Sequence, residues 1–158
     1  MGVDGIDASI ILGTIFEEEE NCSFYLRNLG YKLHNTGILT VPLIGEIFAN
    51  LFLKVSERIK DPSERKALIQ HAVDFFDESI IHLLQEERLV IVSLRKEDLH
   101  YFSRIKEIDY DISDSDAFHV SCAIASHCQR FVTLDKKLLK DSFRSTMTKE
   151  FSLVITSP

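Results

Sequence analysis

The chain has 158 residues, of which 45% are hydrophobic, and a formal net charge of −7. This length and apolar content fit one domain with its own core, so we expect a single domain over residues 1–158. Three cysteines without framework spacing exclude a disulfide scaffold and indicate reduced thiols in a cytoplasmic protein. With no long apolar run and no basic leader, we expect neither a membrane span nor a secretory signal.

Strands and helices are predicted to alternate along the first half of the chain. A polar first strand ends near Ile6, and four glutamates at 17–20 start a helix that continues to Gly30. A second strand is predicted over residues 38–41, followed by the helix that carries Glu46. Residues 61–64, Asp-Pro-Ser-Glu, predict the start of a long helix to residue 85, with a break near Asp77.

The second half continues this alternation. Residues 89–92 are an uninterrupted apolar run, typical of a strand covered on both faces, and a helix is predicted over 95–108. An acidic loop then leads into a helix of small and apolar residues. A buried strand at 131–134, a short helix at 137–140 and a last strand at 151–155 complete the pattern. It predicts an α/β fold, with a central, mostly parallel sheet of about 4–5 strands and helices on both faces.

Three aspartates lie at the edges of these predicted elements. Asp7 follows the first strand, Asp116 lies at the start of the small-residue helix, and Asp135 ends the strand at 131–134. The carboxyl ends of parallel strands meet at one edge of a sheet, where ligands bind, so these side chains are expected to converge on one divalent metal site. Each of the three also has an ordinary alternative as a helix cap or turn residue.

Glu46 is more informative because its surroundings are apolar. Only Glu46 and Asn50 are polar between residues 41 and 53, and a spacing of four places both on one side of a helix. A carboxylate buried there without a partner would be costly. Glu46 therefore needs a cation, a hydrogen-bonding cleft or, as the structural alternative, an arginine.

Other features are weaker. His119 is more often a packed or hydrogen-bonded residue than a ligand, and a zinc site from His119, Cys122, His127 and Cys128 lacks paired-cysteine spacing. No glycine-rich phosphate loop or nucleophile elbow is present. The segment 130–149 contains six basic and two acidic residues, either as a surface for a polyanion or as the solvated face of a short helix.

Together, four segments resemble the four motifs of the PIN domain, in the same order and over nearly the whole chain. They are Asp7-Ala-Ser-Ile-Ile-Leu, the Glu46 helix, Ser-Asp-Ala-Phe-His at 115–119, and Phe-Val-Thr-Leu-Asp at 131–135. The resemblance implies a PIN-like domain and an endoribonuclease that hydrolyses RNA phosphodiester bonds with Mg²⁺ or Mn²⁺. Many small members are toxins of the VapC type, inhibited by an antitoxin protein and dimeric.

The residues present suit that chemistry, since hard divalent ions prefer carboxylate oxygens and water. Asp7, Asp116 and Asp135 are assigned as metal ligands, directly or through water, and Glu46 as a further ligand or the residue that orients the attacking water. Asp114 is a candidate for supporting the metal ligands. Candidates for contacting substrate or its phosphates are Ser9, Thr133, Lys136 and Lys137.

Two other classes stay open. The first is a non-catalytic PIN-like module for RNA binding or assembly, against which the presence of all four acids argues. The second is a metal-dependent phosphatase or receiver-like α/β domain, which needs paired acids after the first strand and a lysine after a late strand. In this chain the late strand ends in Asp135.

Overall fold

The computed structural model describes residues 2–32 and 34–158. In chain order its elements are β1 (Gly2–Ile6), α1 (Ala8–Ile15), α2 (Glu20–Asn28), β2 (Asn35–Thr40), α3 (Val41–Arg58), α4 (Pro62–Phe75), α5 (Ile81–Gln85), β3 (Leu89–Val92), α6 (Leu99–Ile108), α7 (Asp114–Ala125), β4 (Arg130–Val132), α8 (Asp141–Phe151) and β5 (Val154–Thr156). A π-helical turn, Phe76–Ile80, joins α4 to α5, which confirms the predicted break near Asp77.

The five strands form one sheet in the order β3-β2-β1-β4-β5, and every neighbouring pair is parallel. The chain builds outward from β1 to β3 and then returns to the other side of β1 to add β4 and β5. Strand order therefore reverses between β1 and β4, where open parallel sheets form a ligand crevice at their carboxyl ends. The predicted parallel α/β architecture is confirmed.

Helices cover both faces of the sheet, as the sequence predicts. One buried cluster includes residues of α1 to α5, and a second includes residues of α6, α7 and α8. A Cβ on Gly5 would lie 2.7 Å from the Phe131 ring and 2.9 Å from the Ala123 side chain. Glycine is thus needed in β1 so that α7 can approach the centre of the sheet.

The first strand is polar because it carries a buried ion pair. Asp4 is fully buried and receives hydrogen bonds from Arg130 Nε (3.0 Å) and Nη2 (2.6 Å) in β4. Its carboxylate also accepts from Tyr25 Oη (2.8 Å) in α2 and from Asn35 Nδ2 (3.1 Å) in β2. Asp4 therefore ties both neighbouring strands and one helix to β1, and Arg130 is a structural residue of the basic segment.

The predicted helix from residue 17 is wrong in its start. Residues 8–15 already form α1, whose apolar side chains are buried, and Glu17 has a left-handed φ of 53° that separates α1 from α2. Only Glu20 of the four glutamates lies in the first turn of α2. The continuous apolar run of α1 hid its helical period, because nearly every side of this helix packs against the core.

Three further predictions are wrong in whole or in part. Residues 137–140 form part of a turn rather than a helix, and the helix begins only at Asp141. This helix, α8, continues through Phe151, where the last strand was expected to begin, and β5 starts at Val154. Strand β3 is not covered on both faces, since Val90 and Ile91 are each 41% exposed. Among the described residues, β3 lies at the edge of the sheet and pairs with β2 alone.

All three cysteines are free and buried, in agreement with a packing role. Within residues 2–32 and 34–158, no helix combines the length and apolarity needed to cross a membrane.

Candidate active site

Asp7 lies immediately after β1 and caps α1. Its Oδ2 accepts hydrogen bonds from Ser9 Oγ (2.5 Å) and Thr133 Oγ1 (2.8 Å), and its side chain is buried. Thr133 reaches Asp7 because Ile6 pairs with Val132 across the β1–β4 ladder. Both hydroxyls that were expected to position a ligand therefore orient Asp7.

Asp135 lies beside Asp7 on the loop after β4. Its backbone N–H donates to Thr133 Oγ1 (2.9 Å), and its Oδ1 accepts from the Lys137 backbone N–H (2.7 Å). The latter contact is an Asx-type turn, so Asp135 does act as a turn residue. The same side chain also lines the cleft that contains Asp7.

Asp116 comes to the cleft from the first turn of α7. Its Oδ2 accepts from Ser113 Oγ (2.5 Å), the helix cap, which in turn accepts from the Asp116 backbone N–H (3.0 Å). Burial raises the pKa of Asp116 above its ordinary value, and the hydrogen bond from Ser113 opposes this. The charges of Asp7, Asp135 and Glu46 raise the pKa further, so the four acids form one electrostatic cluster.

Glu46 is held by hydrogen-bond donors from α7. Its Oε2 accepts from Ser115 Oγ (2.5 Å) and from His119 Nε2 (2.8 Å). The structural alternative required an arginine as the partner of Glu46, and these two donors are a serine and a histidine. The hydrogen bond from His119 is the main cause that lowers the pKa of Glu46, and that from Ser115 adds to it.

His119 is a packed and hydrogen-bonded residue, as its sequence context favoured. Its side chain is 1% exposed, and its Nδ1 lies 2.7 Å from Thr40 Oγ1 at the end of β2. Thr40 Oγ1 already accepts from the Leu43 backbone N–H (3.3 Å), so its own hydrogen is available to Nδ1. With the ring hydrogen on Nε2, His119 donates to Glu46 while its Nδ1 accepts from the Thr40 hydroxyl. The feature of the sequence that pointed to a role for His119 at the site was its spacing of three residues from Asp116, which places both side chains on the same side of α7.

Each of the four carboxylates is held through one oxygen. Hydrogen bonds reach Oδ2 of Asp7 and Asp116, Oδ1 of Asp135 and Oε2 of Glu46, and none of the described residues donates to the second oxygen of any of them. All four line a single cleft of about 390 Å³. The second oxygens are therefore available for an ion or for water.

This donor set fits Mg²⁺ or Mn²⁺, which prefer carboxylate and water oxygens. Across the described ranges, no three His, Cys, Asp or Glu side chains converge closely enough to hold one ion directly, which also leaves the zinc alternative without support. The arrangement suits an ion held by one or two carboxylates, with the remaining contacts made through water, as is usual for Mg²⁺.

Three other candidates lie outside the cleft. Asp114 has an 84% exposed side chain that pairs with Lys106 (3.1 Å). Lys136 and Lys137 follow Asp135 and are exposed, but neither lines the cleft. Among the described residues that do line it, the basic side chain is Lys54 of α3, which the sequence analysis missed because it lies beyond the apolar run.

Comparison with known proteins supports the fold. No family model and no curated protein matches the chain. A solved structure is similar, the crystal structure of VapBC2 from Rickettsia felis bound to a DNA fragment from their promoter. The identity is 18%, the alignment covers 98% of each chain, and the TM-score is 0.55. At this identity the similarity shows the fold, and the predicted PIN-like α/β fold is confirmed.

Proposed function

We propose that this protein is a divalent-metal-dependent endoribonuclease, a hydrolase of RNA phosphodiester bonds, with residues 1–158 forming a single PIN-like domain. One observation carries the proposal. Four carboxylates from segments far apart in sequence line one cleft at the carboxyl edge of the sheet, and each keeps one oxygen without a donor from the described residues.

Asp7, Asp116 and Asp135 are the proposed ligands of Mg²⁺ or Mn²⁺, one or two of them directly and the rest through water. The oxygens they would use are those that accept no hydrogen bond from the described residues: Oδ1 of Asp7, Oδ1 of Asp116 and Oδ2 of Asp135. Bound there, the ion would make water nucleophilic near neutral pH and stabilise the negative charge that develops on the phosphate. The hydrogen bonds from Ser9, Thr133 and Ser113 hold these aspartates in orientation, which lowers the cost of assembling the site.

Glu46 is proposed to complete this arrangement. Its Oε2 is fixed by His119 and Ser115, so Oε1 is presented in a defined direction. A carboxylate whose pKa is lowered stays ionised at neutral pH and can accept a hydrogen bond from the attacking water. Asp114, paired with Lys106 at the start of α7, would act only indirectly, by adding negative charge near Asp116.

Single-stranded RNA is the proposed substrate, since an unstacked strand can present one phosphate to an open cleft. The test is cleavage of a folded RNA that contains single-stranded loops, with Mg²⁺ or Mn²⁺ and with EDTA as the control. Cleavage should require the metal and leave 5′-phosphate ends. Identically purified Asp7→Asn and Asp116→Asn proteins should be inactive. Equal cutting by all three would reveal a contaminating nuclease.

The same experiment tests the alternative of a non-catalytic PIN-like module for RNA binding or assembly. No cutting across several metals and RNAs, together with no binding of Mn²⁺ by calorimetry, would favour that module. An intact metal site with no cutting of any RNA would instead point to a different phosphoester substrate.

We further propose that the protein is the toxin of a toxin–antitoxin pair, bound and inhibited by an antitoxin protein and forming a homodimer. The full-length similarity to a chain of the VapBC2 structure supports the pairing. Two exposed apolar side chains on one side of α3, Val41 (58%) and Phe52 (50%), support burial of this helix in an assembly. Light scattering should give a dimer mass, and Phe52→Glu should reduce it to that of a monomer.

A further inference from the structure

The carboxylate cleft continues along α3, away from the four acids. Glu46, Asn50 and Lys54 all line it, each one helical turn from the next. At 1.5 Å per residue, Lys54 lies about 12 Å along the helix axis from Glu46. Asn50 and Lys54 thus extend the cleft with neutral and then basic character, in a protein of net charge −7.

Lys54 and Arg58 are held in place by one carboxylate. Glu18 Oε2 lies 3.5 Å from Lys54 Nζ, and Glu18 Oε1 lies 2.6 Å from Arg58 Nη1. Both cations also approach the face of the Phe16 ring, at 5.0 Å for Lys54 and 6.0 Å for Arg58. The hydrogen bond from Arg58 is the main cause that lowers the pKa of Glu18, so this carboxylate is an ionised anion between two cations.

A bidentate anion between a lysine and an arginine has the charge and the acceptor geometry of a phosphate. Glu18 is itself partly exposed, with a side-chain exposure of 37%, so it can move away and leave both cations accessible. A polyanion that enters a cleft of four carboxylates also needs positive charge nearby, because the acids repel its phosphates until the metal is bound.

We propose that Asn50, Lys54 and Arg58 form a binding subsite for an RNA backbone phosphate adjacent to the one that is cleaved, and that Glu18 occupies this subsite when no phosphate is present. The substrate strand therefore leaves the metal-binding acids along α3. This inference rests on the proposed ribonuclease function and adds to it the direction of the strand. It also gives Glu18 an unusual role for an acid, since it competes with the substrate.

Binding of a fluorescent single-stranded RNA, measured by anisotropy across a salt series, tests the subsite. The protein carries Asp116→Asn so that the RNA stays intact in Mg²⁺. Adding Lys54→Ala should raise the Kd about tenfold and reduce the salt slope by about 0.7, the value for one phosphate contact to a single strand. Lys54→Arg should restore both. Glu18→Gln should lower the Kd by about threefold, because the cations lose their internal competitor.

Lys66→Ala is the matched control, because it removes the same charge from an exposed position on α4, outside the basic segment 130–149. If Lys54→Ala binds RNA as the control does, or Glu18→Gln weakens binding, the subsite is refuted and the Glu18 contacts only hold the segment after α1 against α3. In that case metal-dependent cleavage by the wild-type protein would still support the ribonuclease. Loss of RNA binding in Lys136→Ala and Lys137→Ala, but not in Lys54→Ala, would instead place the bound RNA along the loop that follows β4.

Discussion

Replacing Asp4 with alanine should lower the free energy of unfolding by about 3–4 kcal/mol, although this residue is far from the proposed chemistry. Removing one partner of a buried ion pair costs about 3–5 kcal/mol, because the other charge stays behind without compensation. We expect the lower part of this range, since the Arg130 side chain is 34% exposed and water can reach it once Asp4 is gone. The Tyr25 hydroxyl, in contrast, is buried and would lose its acceptor.

Thermal unfolding followed by circular dichroism measures this effect. For a chain of this size, 1 kcal/mol shifts the melting temperature by about 2–4 °C, so a decrease of roughly 6–16 °C is expected. Asp141→Ala is the control, because it removes an ion pair at the surface: the Asp141 side chain is fully exposed and lies 3.7 Å from Arg144. Exposed ion pairs contribute little to stability, so the melting temperature should stay unchanged.

A double-mutant cycle assigns the loss to the ion pair itself. In an Arg130→Ala background, Asp4→Ala should cost much less than in the wild-type protein, because the two residues are in direct contact. Additive effects of the two substitutions, or a melting temperature of Asp4→Ala within about 2 °C of wild type, would show that Asp4 does not hold β1 to its neighbours.

Three further outcomes are expected. Thr40→Val should weaken Mn²⁺ binding about tenfold in calorimetry by releasing His119, as loss of an outer hydrogen bond does in metal sites, and Thr40→Ser should restore it. Gly5→Ala should destabilise the fold by about 1–3 kcal/mol in urea unfolding, because its Cβ would meet the Phe131 ring; unchanged stability would mean that α7 can shift. Burial raises the pKa of the Cys22 and Cys122 thiols to about 11 and that of the Cys128 thiol to about 12, so all three should resist a thiol reagent at pH 8 until the protein unfolds. The free energy of unfolding should fall as the pH rises above the ordinary thiol pKa, because the thiols of the unfolded chain lose their protons before those of the folded protein.

Much of the fold could be predicted because its signals are local. The helix entrance at Asp61 and the cap before Asp116 depend on hydrogen bonds between residues two or three positions apart. The alternation of strands and helices requires crossover connections, which produce parallel strands. The errors lie where an element is apolar on nearly all sides, as in α1, or where burial depends on the position of a strand in the sheet, as in β3.

The partners within the candidate site could not be predicted in the same way. Glu46 was identified by its apolar surroundings, but its donor His119 is 73 residues further along the chain. Thr40 and His119 are separated by 79 residues, and Asp4 and Arg130 by 126. No local pattern encodes such pairs, because they depend on which strands become neighbours and on how closely α7 approaches β1.

The sequence by itself determined where each acid lies relative to the end of its strand or helix, because caps, turns and apolar periodicity act over a few residues. Tertiary structure alone decided that Asp7 and Asp135 lie in one cleft, since β4 pairs with β1 only after β2 and β3 have been added on the other side of β1. It also decided which oxygen of Glu46 is occupied, because both donors come from α7, and it brought the Thr133 hydroxyl to Asp7. Asp4 within β1 and Asp7 directly after it, three residues apart, thereby differ: the first is enclosed by donors on both oxygens, and the second keeps one oxygen for the cleft.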